Sequence, residues 1–125
     1  MTSMARFDAV FPRFLVSNLA SSLEFYQRQL GFRVADRVGD PPVFAIVDRD
    51  RCGLHLRQGP PAPNRDGRWD AYFEINGLNA LRVELDRRGT VLSLAPHRAP
   101  YGRHEFEVTD PDGYVLCFSE EALGG

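Results

Sequence analysis

The chain has 125 residues, of which 43% are hydrophobic and 26% charged, with a formal net charge of −2. That suits one compact unit able to bury a core, and it argues against nucleic acid as the main partner, because phosphate contacts need a basic face. No apolar run approaches the roughly 18 residues needed to span a bilayer, so no membrane partner is expected. The opening Met-Thr-Ser-Met-Ala-Arg-Phe has no signal-type apolar stretch, which places the chain in the cytoplasm by expectation. Cys52 and Cys117 lack Cys-x-x-Cys spacing and are read as free thiols.

In chain order, the apolar run from Phe7 to Val16 predicts a strand. Ser17 and Asn18 follow as a helix N-cap, and Leu19, Leu23, Tyr26 and Leu30 recur at helical spacing up to a stop at Gly31. Three short strands are predicted next, Phe32–Arg37, Val43–Asp48 and Cys52–Arg57, separated by turns at 39–42 and 48–51. A Pro/Gly-rich linker covers about 59–68. The order then returns: a strand at Asp70–Ile75, a helical stripe of Leu78, Leu81 and Leu85 ending at Gly89, and strands at Thr90–Leu94, Arg103–Thr109 and Tyr114–Ser119.

The halves also echo each other in detail. Asp48-Arg-Asp-Arg-Cys-Gly-Leu-His-Leu56 returns, blurred, as Asp110-Pro-Asp-Gly-Tyr-Val-Leu-Cys-Phe118, an offset of 62 (110 minus 48) that sets His55 on Cys117. Periodicity and offset together predict two βαβββ modules, one at about 7–58 and the other at about 69–121, in a single α+β domain over 1–125. Strand alternation gives each module an apolar face (Phe14 and Val16; Phe73 and Ile75; Phe106 and Val108; Leu116 and Phe118) directed at the helices. The opposite face carries Phe11, Arg13, His55, Arg57, Asp70, Tyr72, Glu74, Arg103, Glu105, Glu107, Cys117 and Ser119. Such a face is either solvated, as on many antiparallel sheets, or the lining of a cavity made by a curling sheet.

The segment Phe11–Phe32 (FPRFLVSNLASSLEFYQRQLGF) and the closing Asp110-Pro-Asp-Gly113 turn with its strand resemble the signatures of the vicinal oxygen chelate superfamily. That group holds glyoxalase I, extradiol dioxygenases, and the fosfomycin- and bleomycin-resistance proteins. The resemblance implies βαβββ modules in a curled mixed sheet around a site, commonly assembled as a homodimer. The phrases Gly53-Leu-His-Leu-Arg57, Asp70-Ala-Tyr-Phe-Glu-Ile75 and Tyr101-Gly-Arg-His-Glu-Phe-Glu-Val108 resemble most closely the bleomycin-resistance-type binding proteins, which sequester a drug without metal catalysis.

The resemblance also implies where enzymatic relatives hold a divalent metal, and those places fall here on Phe11, His55, Asp70 and Cys117. Phe11 has no donor atom, and Cys117 replaces the carboxylate that the family enzymes favour. No cofactor is therefore expected. The alternative is a divalent metal on His55, Asp70 and Cys117, with zinc the most compatible because a thiolate is a soft ligand. For a binding pocket, Phe11, Trp69, Tyr72 and Tyr101 offer stacking surfaces. Arg13 suits a carboxylate or phosphate, whereas Asp70, Glu74, Glu105 and Glu107 suit a cation unless they pair with Arg13, Arg57 or Arg103. Three readings follow: a small-molecule-sequestering protein, a metal-dependent lyase, isomerase or dioxygenase, and an interaction protein with a vestigial cavity.

Overall fold

Asn18 begins the first helix as its residue type predicts. In the computed structural model, which describes residues 4–122, Asn18 is extended (φ −142°) and its Oδ1 accepts from the Ser21 N–H at 3.0 Å. A cap of this kind contributes about 1 kcal/mol. Helix α1 (Leu19–Glu24) runs on into one π-helical turn, Phe25–Gln29, which keeps Tyr26 buried and ends where the Phe32 N–H bonds the Tyr26 carbonyl.

The strands are β1 (Arg13–Val16), β2 (Arg33–Gly39), β3 (Pro42–Arg49), β4 (Cys52–Gln58), β5 (Ala71–Glu74), β6 (Leu94–Arg98), β7 (Arg103–Thr109) and β8 (Val115–Glu121), with helix α2 at Leu78–Arg87. They form two four-stranded mixed sheets, ordered β1-β4-β3-β2 and β5-β8-β7-β6. In each, the strand before the helix pairs in parallel with the last strand, and the rest pair antiparallel. The expected pair of βαβββ modules is therefore present as two equivalent sheets.

Two strand expectations need correction. β1 starts at Arg13 and not at Phe7; Phe7 and Val10 are 99% and 81% exposed and find no partner strand. Proline at position 12 has no N–H to give, and ladder contact begins with its carbonyl, which accepts from His55. The sixth strand lies at Leu94–Arg98 rather than Thr90–Leu94. Thr90 is used at the end of α2, where its N–H bonds the Leu85 carbonyl and its Oγ1 donates to the Gln29 carbonyl at 2.6 Å. β6 is an edge strand, and an edge tolerates Pro96 where a central strand does not.

Both apolar faces turn toward one shared core that includes Phe14, Val16, Leu23, Tyr26, Phe32, Phe73, Leu85, Phe106, Leu116 and Phe118. The modules are joined there by specific contacts. The Phe14 and Tyr114 rings stack at 4.1 Å and 1°. The Tyr26 hydroxyl donates to Asp110 Oδ2 at 2.9 Å, and the Tyr114 hydroxyl donates to the Leu15 carbonyl at 2.7 Å. Arg49 of β3 grips Glu84 of α2 bidentately at 2.9 and 2.7 Å. With the apolar faces joined, the polar faces point outward. Among the described residues, no helix is long and apolar enough to cross a membrane.

Candidate functional site

The outward face of the first sheet is built around His55. Alternation along β4 directs His55 and Arg57 outward while Leu54 and Leu56 are fully buried. The parallel register sets Arg13 beside His55 and Leu15 beside Arg57. The half-buried imidazole lies between two rings: Phe11 at 5.3 Å, tilted by 40°, and Phe44 at 5.1 Å, edge-on. Phe44 escaped the sequence reading, although alternation on β3 puts it on the same face as Ile46, the register partner of His55. Among the described residues neither Arg13 nor Arg57 forms an ion pair, and both are exposed.

Gly53 makes room for this arrangement. A Cβ built there would collide with the Phe11 ring, so the phenyl ring lies directly over the glycine backbone. Phe11 is 41% exposed and can swing away. The added Cβ would also lie 3.2 Å from the Val47 carbonyl oxygen, which is held in the sheet, so Gly53→Ala is expected to cost about 1–3 kcal/mol while displacing Phe11. The readout is the His55 imidazole resonance in NMR, which should shift as the ring current of Phe11 is lost; an unmoved resonance would contradict this packing.

The outward face of the second sheet is acidic and hydroxyl-rich. Glu105 is only 3% exposed. Its Oε2 accepts from the Tyr101 hydroxyl at 2.5 Å, the Tyr72 hydroxyl at 2.9 Å and Ser119 Oγ at 3.0 Å. Burial pushes the Glu105 carboxyl up, but the hydrogen bonds from Tyr101, Tyr72, Ser119 and Cys117 outweigh it and leave the group below its ordinary value. Trp69 lies against Tyr72 with centroids 5.0 Å apart. Arg103 is engaged by Ser119 Oγ at 2.8 Å and by Glu74 at 3.3 Å. Glu107 is raised, first by burial; His97 opposes the shift and the Glu105 charge adds to it.

The remaining candidates fall apart from one another. Asp70 lies just before β5, and both its oxygens are used by backbone: Oδ1 by the Asn64 N–H at 2.7 Å and Oδ2 by the Val115 N–H at 2.8 Å. It thereby ties the linker to β8. Cys117 is fully buried, and burial together with the Glu105 and Glu107 charges pushes its thiol up to about 12, so it stays protonated at neutral pH. Among the described residues, no three His, Cys, Asp or Glu side chains gather closely enough to hold a metal. His55, Asp70 and Cys117 lie on different sheets or in different roles, and within one chain they do not fit a metal site.

Two cavities lie away from the outward faces. A cavity of about 480 Å³ opens between the modules on the helix side, over Leu30, Phe32, Phe73, Leu81 and Leu85. Another, of about 620 Å³, lies beside α1 and the turn at Pro41 and Pro42. Neither is lined by Phe11, Arg13, His55, Tyr72, Tyr101, Glu105 or Cys117.

Residues 6–118 match the family described as the Glyoxalase/Bleomycin resistance protein/Dioxygenase superfamily. Among solved structures, the chain is similar to a glyoxalase-related enzyme from Clostridium phytofermentans, at 20% identity and a TM-score of 0.76, over 96% of this chain and 98% of that one. It is similar to the bleomycin resistance determinant encoded on the transposon Tn5, at 21% identity and a TM-score of 0.76, over 94% and 100% of the two chains. A bleomycin-binding protein crystallised with bleomycin aligns at 20% identity and a TM-score of 0.75, over 93% and 100%. No curated protein matches the sequence. Likeness at these identities establishes a common fold.

Proposed function

Because this chain belongs to the Glyoxalase/Bleomycin resistance protein/Dioxygenase superfamily, we propose that it binds a small molecule on its outward sheet faces and holds it without a chemical step. The observation that carries this reading is the setting of His55. Its imidazole is flanked by Phe11, tilted, and by Phe44, edge-on, an aromatic cluster suited to contact with a flat group of a ligand. Arg13 and Arg57 beside it offer two unpaired guanidinium groups for a carboxylate, phosphate or amide. The fold-level likeness to a bleomycin-binding protein and to a bleomycin resistance determinant agrees with sequestration.

In this reading the working form is a cytoplasmic homodimer. Each outward face is open on one side, and a second copy facing it would supply the wall that a ligand pocket needs. An antiparallel arrangement would set the basic face of one module against the acidic face of the other. The interaction-protein alternative predicts no small-molecule binding at all.

Calorimetric titration with bleomycin, together with metal analysis of protein purified without chelators, tests the proposal. Saturable heat with one ligand per chain is expected, with no turnover of the ligand. Absence of heat removes drug sequestration. Stoichiometric zinc that disappears in a Cys117→Ala variant would establish the metal-enzyme reading in its place.

A further inference from the structure

The second sheet buries a carboxylate held by neutral donors. Among the described residues, Glu105 forms no ion pair, and all its hydrogen-bond partners at Oε2 are neutral hydroxyls. Of the basic side chains around Glu105, Arg103 is bound to Ser119 Oγ and pairs with Glu74, and His97 is the register partner of Glu105 on β6 without a hydrogen bond to it. Buried charges are ordinarily paired. Here neutral donors hold the carboxylate as an anion without cancelling its charge, and that charge lies at the hydroxyl edges of two tyrosines.

Those rings are placed to transmit it. Tyr72 and Tyr101 both donate to the same oxygen of Glu105, and Trp69 leans on Tyr72 at 5.0 Å. A phenol that donates to a carboxylate becomes more electron-rich, because the hydrogen bond pushes density back into the ring. Burial and the bond to Glu105 both raise the Tyr101 hydroxyl, so its proton remains on the tyrosine. Trp69 and Tyr101 are nonetheless 38% and 56% exposed, large rings kept at the surface beside a buried anion. Aromatic rings made electron-rich by an adjoining negative charge select a diffuse cation over a neutral group of equal shape.

We propose that Trp69, Tyr72 and Tyr101 beside Glu105 form a subsite for an alkylammonium group of the ligand. The inference rests on the binding function proposed above and adds the chemical class at one end of the ligand. Arg13, His55 and Arg57 lie on the other sheet, so a ligand held between the acidic face of one copy and the basic face of the other in the proposed dimer carries its positive end here and its acceptors there.

Trp69 is the only tryptophan in the sequence, so its fluorescence reports the subsite directly. Titration with choline should quench or shift Trp69 emission saturably, and its neutral carbon isostere, with a quaternary carbon in place of nitrogen, should bind roughly tenfold more weakly. Glu105→Gln should weaken choline roughly tenfold as well. Should that variant fail to fold, Tyr101→Ala, at an exposed position, is expected to weaken it several-fold. Equal binding of choline and its isostere, or no response to choline, would overturn the subsite. The bleomycin titration is a separate measurement: stoichiometric heat with no choline response removes the subsite and leaves sequestration standing, while a choline response without bleomycin heat does the reverse.

Discussion

Asp110→Ala is expected to lower unfolding free energy by about 3–5 kcal/mol, the cost of breaking a buried charged hydrogen-bond set. The carboxylate is 4% exposed and has three donors. Oδ2 accepts from the Tyr26 hydroxyl at 2.9 Å, and Oδ1 accepts from the Asp112 and Tyr114 N–H groups at 2.9 Å each. Tyr26 is fully buried, so its hydroxyl has no water to turn to once the carboxylate is gone. Asp110 also shapes the turn that closes with the Gly113 N–H on the Asp110 carbonyl, a turn that requires φ +93° at Gly113. Denaturant unfolding measures the loss. Pairing the substitution with Tyr26→Phe should give a coupling of about 1–3 kcal/mol, as expected for groups in contact. Independent, additive effects would show that the two modules are not held through this bond.

Tyr114→Ala should be comparably damaging, at about 3–5 kcal/mol, the range for deleting a buried aromatic side chain. The ring is 4% exposed and lies flat on Phe14, joining β1 to the turn before β8. Its hydroxyl adds a second connection, donating to the Leu15 carbonyl at 2.7 Å and accepting from the Ala62 N–H at 3.0 Å. Tyr114→Phe separates the two contributions. It keeps the stack and leaves those backbone groups without their partner, for an expected loss of about 1–3 kcal/mol. Thermal or denaturant unfolding of both variants checks the order; a phenylalanine variant as damaging as alanine would assign the role to the hydroxyl and not to the stack.

The modular plan was legible in the sequence because its determinants are local. Asn18 caps, Leu19, Leu23 and Leu30 mark one helical face, and the Asp48 and Asp110 turns repeat with their following strands. Strand alternation separated the core from the outward faces, and Phe73, Phe106 and Leu116 are buried as it predicts. The limits of β1 and β6 were not legible, since each depends on what the neighbouring strand offers at that point. Membership of an outward face also says little about burial within it: Glu105 and Cys117 are covered by the side chains around them, as hydroxyl bonds from Tyr72 and Tyr101 illustrate. The pairing of the modules rests on contacts such as Tyr26 with Asp110 and Arg49 with Glu84, far apart in sequence and without a local signature. The equivalent aspartate, Asp48, instead binds Arg33 on its own sheet, so the repeat alone does not assign the partner of Asp110.

The parallel pairing of β1 with β4 and of β5 with β8 bears on how the chain reaches this structure. β2, β3 and β4 are successive antiparallel neighbours joined by tight turns, and β7 with β8 forms a similar hairpin. These close small loops and can zip early. Arg13 meets His55, and Tyr72 meets Cys117, only after the intervening helix and hairpins have been spanned. The four-residue strands β1 and β5 are therefore the strands whose pairing closes the longest loops in their sheets, at the largest closure entropy. Arg13 and Tyr72, on those strands, hold their places on the outward faces through these long-range pairings and not through a hairpin, so the make-up of both faces depends on the whole module being formed.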